Sequence, residues 1–171
     1  SRLQFYFRPG APQPLALRIE QKLSQIGFKD CRVVCSEIYF LPVLDENAFK
    51  FASDNFCDKH IQYLGTQSAT EGTRLHIRFK RGVTDNLGST AREMLLQAYP
   101  DCMPIHQVVA SAREFRIKGA EPTKLAEFAK DNLYNPLIQE CFTLLPGNEA
   151  PWPDLESIAP KIDPVVKTIS L

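Results

Sequence analysis

The 171-residue chain lacks an excess of charge of either sign, because its 20 basic side chains balance its 20 acidic ones. Nucleic-acid and acidic-membrane binders normally carry a broad positive field, so this balance argues against both kinds of partner. The chain also lacks an apolar run near the roughly 20 residues that a membrane-spanning helix needs, and its first residues lack the apolar centre of a signal peptide. We therefore expect a cytoplasmic protein.

Motifs for catalysis and metal binding are missing as well. The five cysteines are odd in number and have neither CxxC spacing nor a histidine cluster nearby, which argues against disulfides and a structural zinc site. No glycine-rich phosphate loop is present. Cys57 and His60 are three residues apart, but no acidic residue is spaced to orient them as nucleophile and base, and we interpret them as a packed thiol and a surface histidine. The sequence predicts no catalytic residue, no cofactor-binding residue and no metal ligand.

An internal repeat organises the chain. The alternating segment LQFYFRPG, which begins at Leu3, matches LHIRFKRG, which begins at Leu75, at an offset of 72 residues. The segment FASDNFCDKHIQ, which begins at Phe51, matches FAKDNLYNPLIQ, which begins at Phe128, at an offset of 77 residues. Two matches in the same order indicate a duplicated unit.

Each unit is predicted to contain the elements of a ferredoxin-like βαββαβ fold. After the first strand, apolar residues recur at helical spacing over residues 15–26 and 91–98, and Ser89 or Thr90 is the predicted cap of the second of these helices. CRVVCSEIYFLP and HQVVASAREFRIKG each have the length of two short strands and a tight turn. Further helices are predicted around residues 48–56 and 125–133, with closing strands at 61–64 and 138–144.

These elements predict an α+β fold of two tandem repeats, residues 1–67 and 68–145. One such unit is too small to be stable alone, so we expect the repeats to pack as one joint domain about a pseudo-two-fold axis. Residues 65–73 are small and polar and are the predicted connection. Residues 146–171 contain five prolines, which predicts an extended linker that Trp152 and Ile158 hold to the domain and that ends in a strand-like VVKTISL with partners outside the chain.

The most specific local sequence is GVTDNLGST, residues 82–90. Its two glycines and its aspartate suit a structured connection between a strand and a helix, in which Asp85 bonds to nearby backbone amides. A modest basic set is expected on neighbouring strands: Arg78, Lys80, Arg81, Arg113 and Arg116. We interpret this set as a solvated face, with contact to a phosphate or an acidic partner as the alternative.

Two segments of the second repeat resemble the signatures of the PurS family. The G-V-x-D-x-x-G-x-T signature is matched by Gly82, Val83, Asp85, Gly88 and Thr90. The N-P-[VL]-I-x-[ED] signature is matched by Asn135, Pro136, Leu137, Ile138 and Glu140. The resemblance covers about residues 3–145 and is weaker in the first repeat, where RPGAPQPLA replaces the first signature and Lys59 and His60 replace Pro136 and Leu137.

The resemblance implies a place in a larger enzyme of purine biosynthesis. PurS is a small subunit of phosphoribosylformylglycinamidine synthase, and in the large single-chain form two PurS-like copies are fused as the N-terminal domain. The implied parent converts formylglycinamide ribonucleotide, glutamine and ATP to the amidine with magnesium. Its synthetase and glutaminase domains hold those active sites, and none of their motifs is present here.

The implied role of this segment is to brace the synthetase and glutaminase domains of the same parent chain and to help ammonia pass between them. It would need neither ATP nor magnesium of its own, and residues 146–171 resemble the linker towards the synthetase domain. The residue types of the two signatures are more specific than folding of the unit requires. The candidates for docking are Gly82, Asp85, Gly88, Thr90, Asn135 and Pro136.

A tandem ACT-type regulatory module is the alternative function. Such a module shares the βαββαβ plan and binds small effectors such as amino acids, and FRPGAPQPLALRIEQKL resembles its D-R-P-G-x-[LA] loop and the helix that follows. Only the first repeat carries that loop, whereas the second carries the PurS signatures. A saturable amino-acid site at residues 8–14 would favour this alternative.

Overall fold

A computed structural model describes residues 1–65 and 71–156 of the chain. Within them the fold is α+β, with four helices and a six-stranded sheet, and it is compatible with the ferredoxin-like class. The elements are β1 (Arg2–Phe7), α1 (Pro14–Gln25), β2 (Arg32–Phe40), α2 (Glu46–Asn55), β3 (Gln62–Leu64), β4 (Thr73–Phe79), α3 (Asn86–Ala98), β5 (Ala110–Lys118), α4 (Pro122–Asn132) and β6 (Gln139–Leu144).

All six strands form one antiparallel sheet in the order β3-β1-β2-β5-β4-β6. The central strands β2 and β5 pair along their full length of nine residues each, from Arg32 opposite Lys118 to Phe40 opposite Ala110. In the first half the strands follow outward from the centre as β2, β1 and β3, and in the second half as β5, β4 and β6. In both halves the second strand is therefore central, the first strand lies beside it and the third strand is at the edge.

The hairpin predicted inside each half is wrong. Residues 32–40 and 110–118 each form one continuous strand, so each half has the order βαβαβ and not βαββαβ. A tight two-residue hairpin turn needs residues that readily adopt positive φ, above all glycine, asparagine or aspartate. Neither RVVCSEIYF nor ASAREFRIK contains one of these residues or a proline. The long unbroken strands are the ones that join the two halves.

The four helices cover one face of the sheet and form two hydrophobic cores. Each core contains one helix from the first half and one from the second. In the first core, Ile19 of α1 and Leu125 of α4 are fully buried against sheet residues that include Phe115. In the second core, Ala52 of α2 and Leu95 of α3 are fully buried together. Since successive strand residues point to opposite sides, the alternate residues form a second face of the sheet. None of the helices in residues 1–65 and 71–156 packs on this face, which we call the open face.

The predicted positions of all four helices and both closing strands are confirmed to within a few residues, apart from the start of α3. The predicted cap of α3 at Ser89 or Thr90 is wrong. Asp85 is the cap, and its Oδ1 accepts a hydrogen bond from the Gly88 amide at 2.8 Å. The helix begins about one turn earlier than its buried apolar residues suggest, because the only large apolar residue of its first turn, Leu87, is 42% exposed and does not extend the buried stripe.

Residues 146–156 cross the open face. The ring of Trp152 packs edge-on against Phe40, with 5.2 Å between ring centroids, which confirms the predicted contact of this residue with the domain. The predictions for residues 66–70, for Ile158 and for the terminal VVKTISL lie outside the described residues. None of the helices in residues 1–65 and 71–156 combines the length and the apolar character that a membrane span requires.

Candidate functional site

The two segments that contain the predicted docking residues meet at one end of the sheet. Lys80, directly after β4, donates from its Nζ to the carbonyl of Pro136 at 2.6 Å. Its backbone amide donates to the carbonyl of Ile138 at 3.0 Å. Residues 80–85, called here the 80–85 loop, therefore lie beside residues 134–138, called here the 134–138 turn.

Asp85 and Gly88 have clear roles in the local fold. Besides capping α3, Asp85 accepts hydrogen bonds from the backbone amide of Ser111 and from its hydroxyl, the latter at 2.8 Å, which joins the start of α3 to β5. Gly88 is buried, and a Cβ added there would lie 2.2 Å from the carbonyl oxygen of Val109. These two docking candidates thus have a structural role, because they allow α3 to pack closely on β5. A role towards a partner would be additional.

The other four candidates lie at the surface. Gly82 is exposed and has a φ of +82°, a conformation that favours glycine. Thr90 is exposed on α3 and donates from its hydroxyl to the Asn86 carbonyl at 2.9 Å. Asn135 and Pro136 are exposed in the 134–138 turn. Side chains around these positions are free to contact another protein.

The 134–138 turn presents apolar residues to solvent. The Oδ1 atom of Asn135 accepts a hydrogen bond from the Leu137 amide at 3.0 Å, and the Asn135 amide donates to Gln139 Oε1 at 3.0 Å. These bonds fix an asparagine turn, whose tip is Pro136 and Leu137. Leu137 is 81% exposed, and Ile138 is 40% exposed.

The corresponding end of the first half has the same hydrogen bonds but a charged surface. Arg8 donates from its Nε to the Lys59 carbonyl at 3.0 Å and from its backbone amide to the Ile61 carbonyl at 2.8 Å. The Asp58 Oδ1 accepts from the His60 amide at 2.9 Å. These residues precede their counterparts in the second half by the 72 or 77 residues of the sequence matches. Lys59 and His60 thus form the charged tip of an equivalent turn.

A cleft of about 530 Å³ lies next to the 80–85 loop. Its lining includes Gly82 and Asp85, together with Asp154 and Glu156 from the segment that crosses the open face. Arg81, which also lines it, lies 3.2 Å from the Asp154 carboxylate. The cleft thus contains charges of both signs and shows no surplus of positive charge for a phosphate.

The predicted basic set does not form one surface. Arg113 lies on the helix-bearing face of β5, whereas Arg116 and Arg78 lie on the open face. Arg78 pairs with Glu140 at 2.7 Å and stacks over the ring of Phe142, 4.8 Å from its centroid. The position of Arg78 is therefore explained by contacts within the domain.

Cys57 and His60 show no arrangement for nucleophilic catalysis. Burial raises the pKa of the Cys57 thiol, which favours the unreactive thiol over the thiolate. His60 is exposed at the tip of its turn. Among residues 1–65 and 71–156, no group of three or more histidine, cysteine, aspartate or glutamate side chains is arranged to hold a metal ion.

Sequence reasoning missed a buried polar cluster at the centre of the open face. Its members are at most 6% exposed: Gln4, Ser36, Arg74, His76 and Glu114. The alternation of apolar and polar residues puts His76 on the polar side of its strand, which favours a solvated imidazole. His76 is instead 2% exposed, because residues 146–156 cross this face and the rings of Phe40 and Phe142 flank the imidazole. The available signal was the presence of charged residues in the middle of central strands.

Glu114 is the centre of this cluster. Its carboxylate lies 3.5 Å from Arg74 Nη1 and 3.6 Å from His76 Nδ1, and it accepts a hydrogen bond from Gln4 Nε2 at 3.3 Å. Gln4 Nε2 also donates to the Ser36 hydroxyl at 2.8 Å. Burial alone would raise the pKa of Glu114, but the hydrogen bond from His76 and the charges of Arg74 and His76 lower it on balance. The ionised carboxylate thus neutralises the buried arginine.

Comparison with protein-family models and with curated proteins found no match for this chain. A functional assignment therefore depends on the residues and contacts described above.

Proposed function

We propose that this chain is the non-catalytic N-terminal domain of phosphoribosylformylglycinamidine synthase, formed by two PurS-like repeats about a pseudo-two-fold axis. In this proposal it braces the synthetase and glutaminase domains of the parent, so that ammonia passes from one active site to the other. The observation that carries the proposal is the equivalence of the two ends of the sheet. It supports the duplicated unit that the resemblance to PurS requires.

Further details support a duplication. Gly10 and Gly82 have the same φ of +82° in the loops after β1 and β4. Asn55 and Asn132, the last residues of α2 and α4, each donate a side-chain hydrogen bond to the carbonyl four residues earlier. Common descent of the two halves explains why such minor features recur at matching positions.

The difference between the two ends supports a partner on the second one only. Full burial of a leucine side chain stabilises an interface by about 1.5–3 kcal/mol, so the exposed Leu137 beside Pro136 favours docking. Lys59 and His60 occupy the equivalent tip in the first half, and burial of their charge or polar groups would cost free energy. We therefore propose that the partner domain contacts this chain at the 134–138 turn and the neighbouring 80–85 loop.

A domain without catalytic residues still contributes to such a reaction. Ammonia that is released at one active site must reach the second before it escapes into water. This requires a fixed geometry between the two domains and a path from which bulk water is excluded. A rigid six-stranded sheet that docks through a preformed loop and turn provides a suitable brace.

The Leu137→Asp substitution tests this assignment in the full-length parent enzyme. We expect it to reduce glutamine-driven turnover at least about tenfold more than turnover with added ammonia, because an unpaired carboxylate in an apolar interface costs more than about 1.4 kcal/mol. His60→Asp is the matched control, since it changes the equivalent position of the other turn. It should change neither activity.

Asn135→Ala is the second variant, because it loosens the turn without placing a charge there. Asp85→Ala is unsuitable, since it removes the cap of α3. Circular dichroism of the purified enzymes establishes whether the variants are folded. Equal loss of both activities in folded Leu137→Asp enzyme, or an equal effect of His60→Asp, would contradict the assignment of this surface.

A further inference from the structure

Two side chains of opposite charge lie directly opposite each other on the helix-bearing face of the sheet, Glu37 on β2 and Arg113 on β5. Opposite charges at such positions attract each other. The structure of residues 1–65 and 71–156 nevertheless contains no ion pair between them. Glu37 Oε2 instead accepts a hydrogen bond from Gln62 Nε2 at 3.1 Å. The exposed guanidinium of Arg113 donates no hydrogen bond to the part of the chain that the structure describes.

A cavity of about 270 Å³ opens beside these two charges. Its lining includes the first two residues of α3 and the residue that follows α4. Five apolar side chains line it: Ile77, Phe79, Leu87, Phe115 and Leu133. Pockets for drug-sized ligands measure roughly 300–1,000 Å³, so this smaller cavity suits a ligand of the size of one amino acid.

The cavity presents one negative and one positive charge to a ligand. Glu37 and Arg113 both line it, whereas the side chain of Arg78, the other charged residue of its lining, is paired with Glu140 on the open face. A ligand with a single charge would bring it close to a like charge, that of Glu37 for an anion and that of Arg113 for a cation. A ligand that carries both charges would instead satisfy both side chains.

The duplicated unit does not require these two charges. Position by position, β2 has Cys35 where β5 has Arg113, and β5 has Phe115 where β2 has Glu37. Uncharged residues therefore serve at both equivalent places in the same sheet. The carboxylate and the guanidinium are features of one central position and not of the repeat.

We propose that this cavity binds a free α-amino acid with an apolar side chain, such as leucine or phenylalanine. Arg113 binds the carboxylate of the ligand, because a planar guanidinium can donate two parallel hydrogen bonds to it. Glu37 accepts a hydrogen bond from the ammonium group. The side chain of the ligand packs among Ile77, Phe79 and Leu87, of which Leu87 is 42% exposed without the ligand. None of residues 8–14 lines this cavity, so the site is distinct from the one that the ACT alternative requires.

Titration of the full chain with L-leucine, followed by calorimetry and NMR, tests the site. We expect one saturable site per chain with a dissociation constant of about 1 mM or less. 4-Methylpentanoate lacks the ammonium group of leucine, and 3-methylbutylamine lacks the carboxylate. Each should bind at least about tenfold more weakly than L-leucine, because each leaves one charge of the cavity unpaired.

Two variants separate the roles of the charges. Arg113→Gln should weaken the binding of L-leucine at least about tenfold and leave that of 3-methylbutylamine unchanged, since this probe has no carboxylate. Glu37→Gln should weaken the binding of L-leucine but not that of 4-methylpentanoate. Arg18→Gln is the matched control, because Arg18 is exposed on α1 and does not line the cavity, and it should change none of these affinities.

The absence of saturable binding of both L-leucine and L-phenylalanine up to about 10 mM would overturn the proposal. Equal affinities of the three probes for the wild-type chain would also overturn it, as would an equal loss of L-leucine binding in Arg18→Gln. If Glu37→Gln does not fold, the comparison of the probes on the wild-type chain decides the role of Glu37. These measurements need no parent enzyme, so their outcome is independent of the glutamine-coupling test of the proposed function.

Discussion

Glu114→Gln should lower the free energy of unfolding by about 3–5 kcal/mol, because it leaves the buried guanidinium of Arg74 without a counter-charge. Glu114 is only 2% exposed, and Arg74 Nη1 lies 3.5 Å from its carboxylate. Urea unfolding of the wild-type and variant chains measures the difference. The control is Glu140→Gln, whose glutamate side chain is 37% exposed and whose partner Arg78, 11% exposed, keeps its contact with the Phe142 ring, so it should cost less than Glu114→Gln.

The same substitution should remove part of the acid sensitivity of the domain. The pKa of Glu114 is lower in the folded chain than its ordinary value of 4.5. A carboxyl group of this kind contributes stability that is fully present above its unfolded pKa and is lost as the pH falls through the folded pKa. Wild-type stability should therefore fall below about pH 4.5 more steeply than that of Glu114→Gln. Identical pH profiles, or a cost no larger than that of Glu140→Gln, would show that the buried pair is not ionised.

Ile19→Ala and Leu125→Ala should each destabilise the whole domain by about 2–5 kcal/mol, although they lie in different halves of the chain. Both side chains are at most 1% exposed, and both belong to the core that α1 and α4 share. Each variant should therefore show one unfolding transition, shifted to lower temperature or denaturant concentration. Leu17→Ala, on α1 but 58% exposed, is the matched control and should change stability by about 0.5 kcal/mol or less.

Calorimetry and urea unfolding followed by circular dichroism measure these transitions. A variant with two separate transitions, of which only one shifts, would contradict the shared core. It would mean that the halves fold as independent units connected by a linker. The strand pairing of β2 with β5 argues against this outcome, because it runs along the full length of both strands.

Periodicity was sufficient to predict most helices and strands. Ile19 and Leu23 in α1, and Leu125 and Phe128 in α4, recur at helical spacing and are all buried. Length was a poor guide for β2 and β5, because a segment long enough for a hairpin also suits one long strand. The absence of turn-forming residues in these segments was the better evidence.

The candidate site could be predicted from the sequence only where a residue type is explained by its neighbours in the chain. Asp85 was expected to bond to backbone amides, and it does so as the cap of α3. The bond from Lys80 to Pro136 connects residues 56 positions apart, so no local pattern indicates it. Alternation placed His76 on the polar side of its strand, but it does not reveal whether another segment covers that side.

Reading the coding sequence beyond residue 171 tests most directly the claim that this chain is the N-terminal domain of phosphoribosylformylglycinamidine synthase. The proposed function predicts that it continues in frame into an ATP-using synthetase domain and then a glutaminase domain. A stop codon with neither domain in the same reading frame, or continuation into an unrelated enzyme of the kind that ACT-type modules regulate, would contradict it.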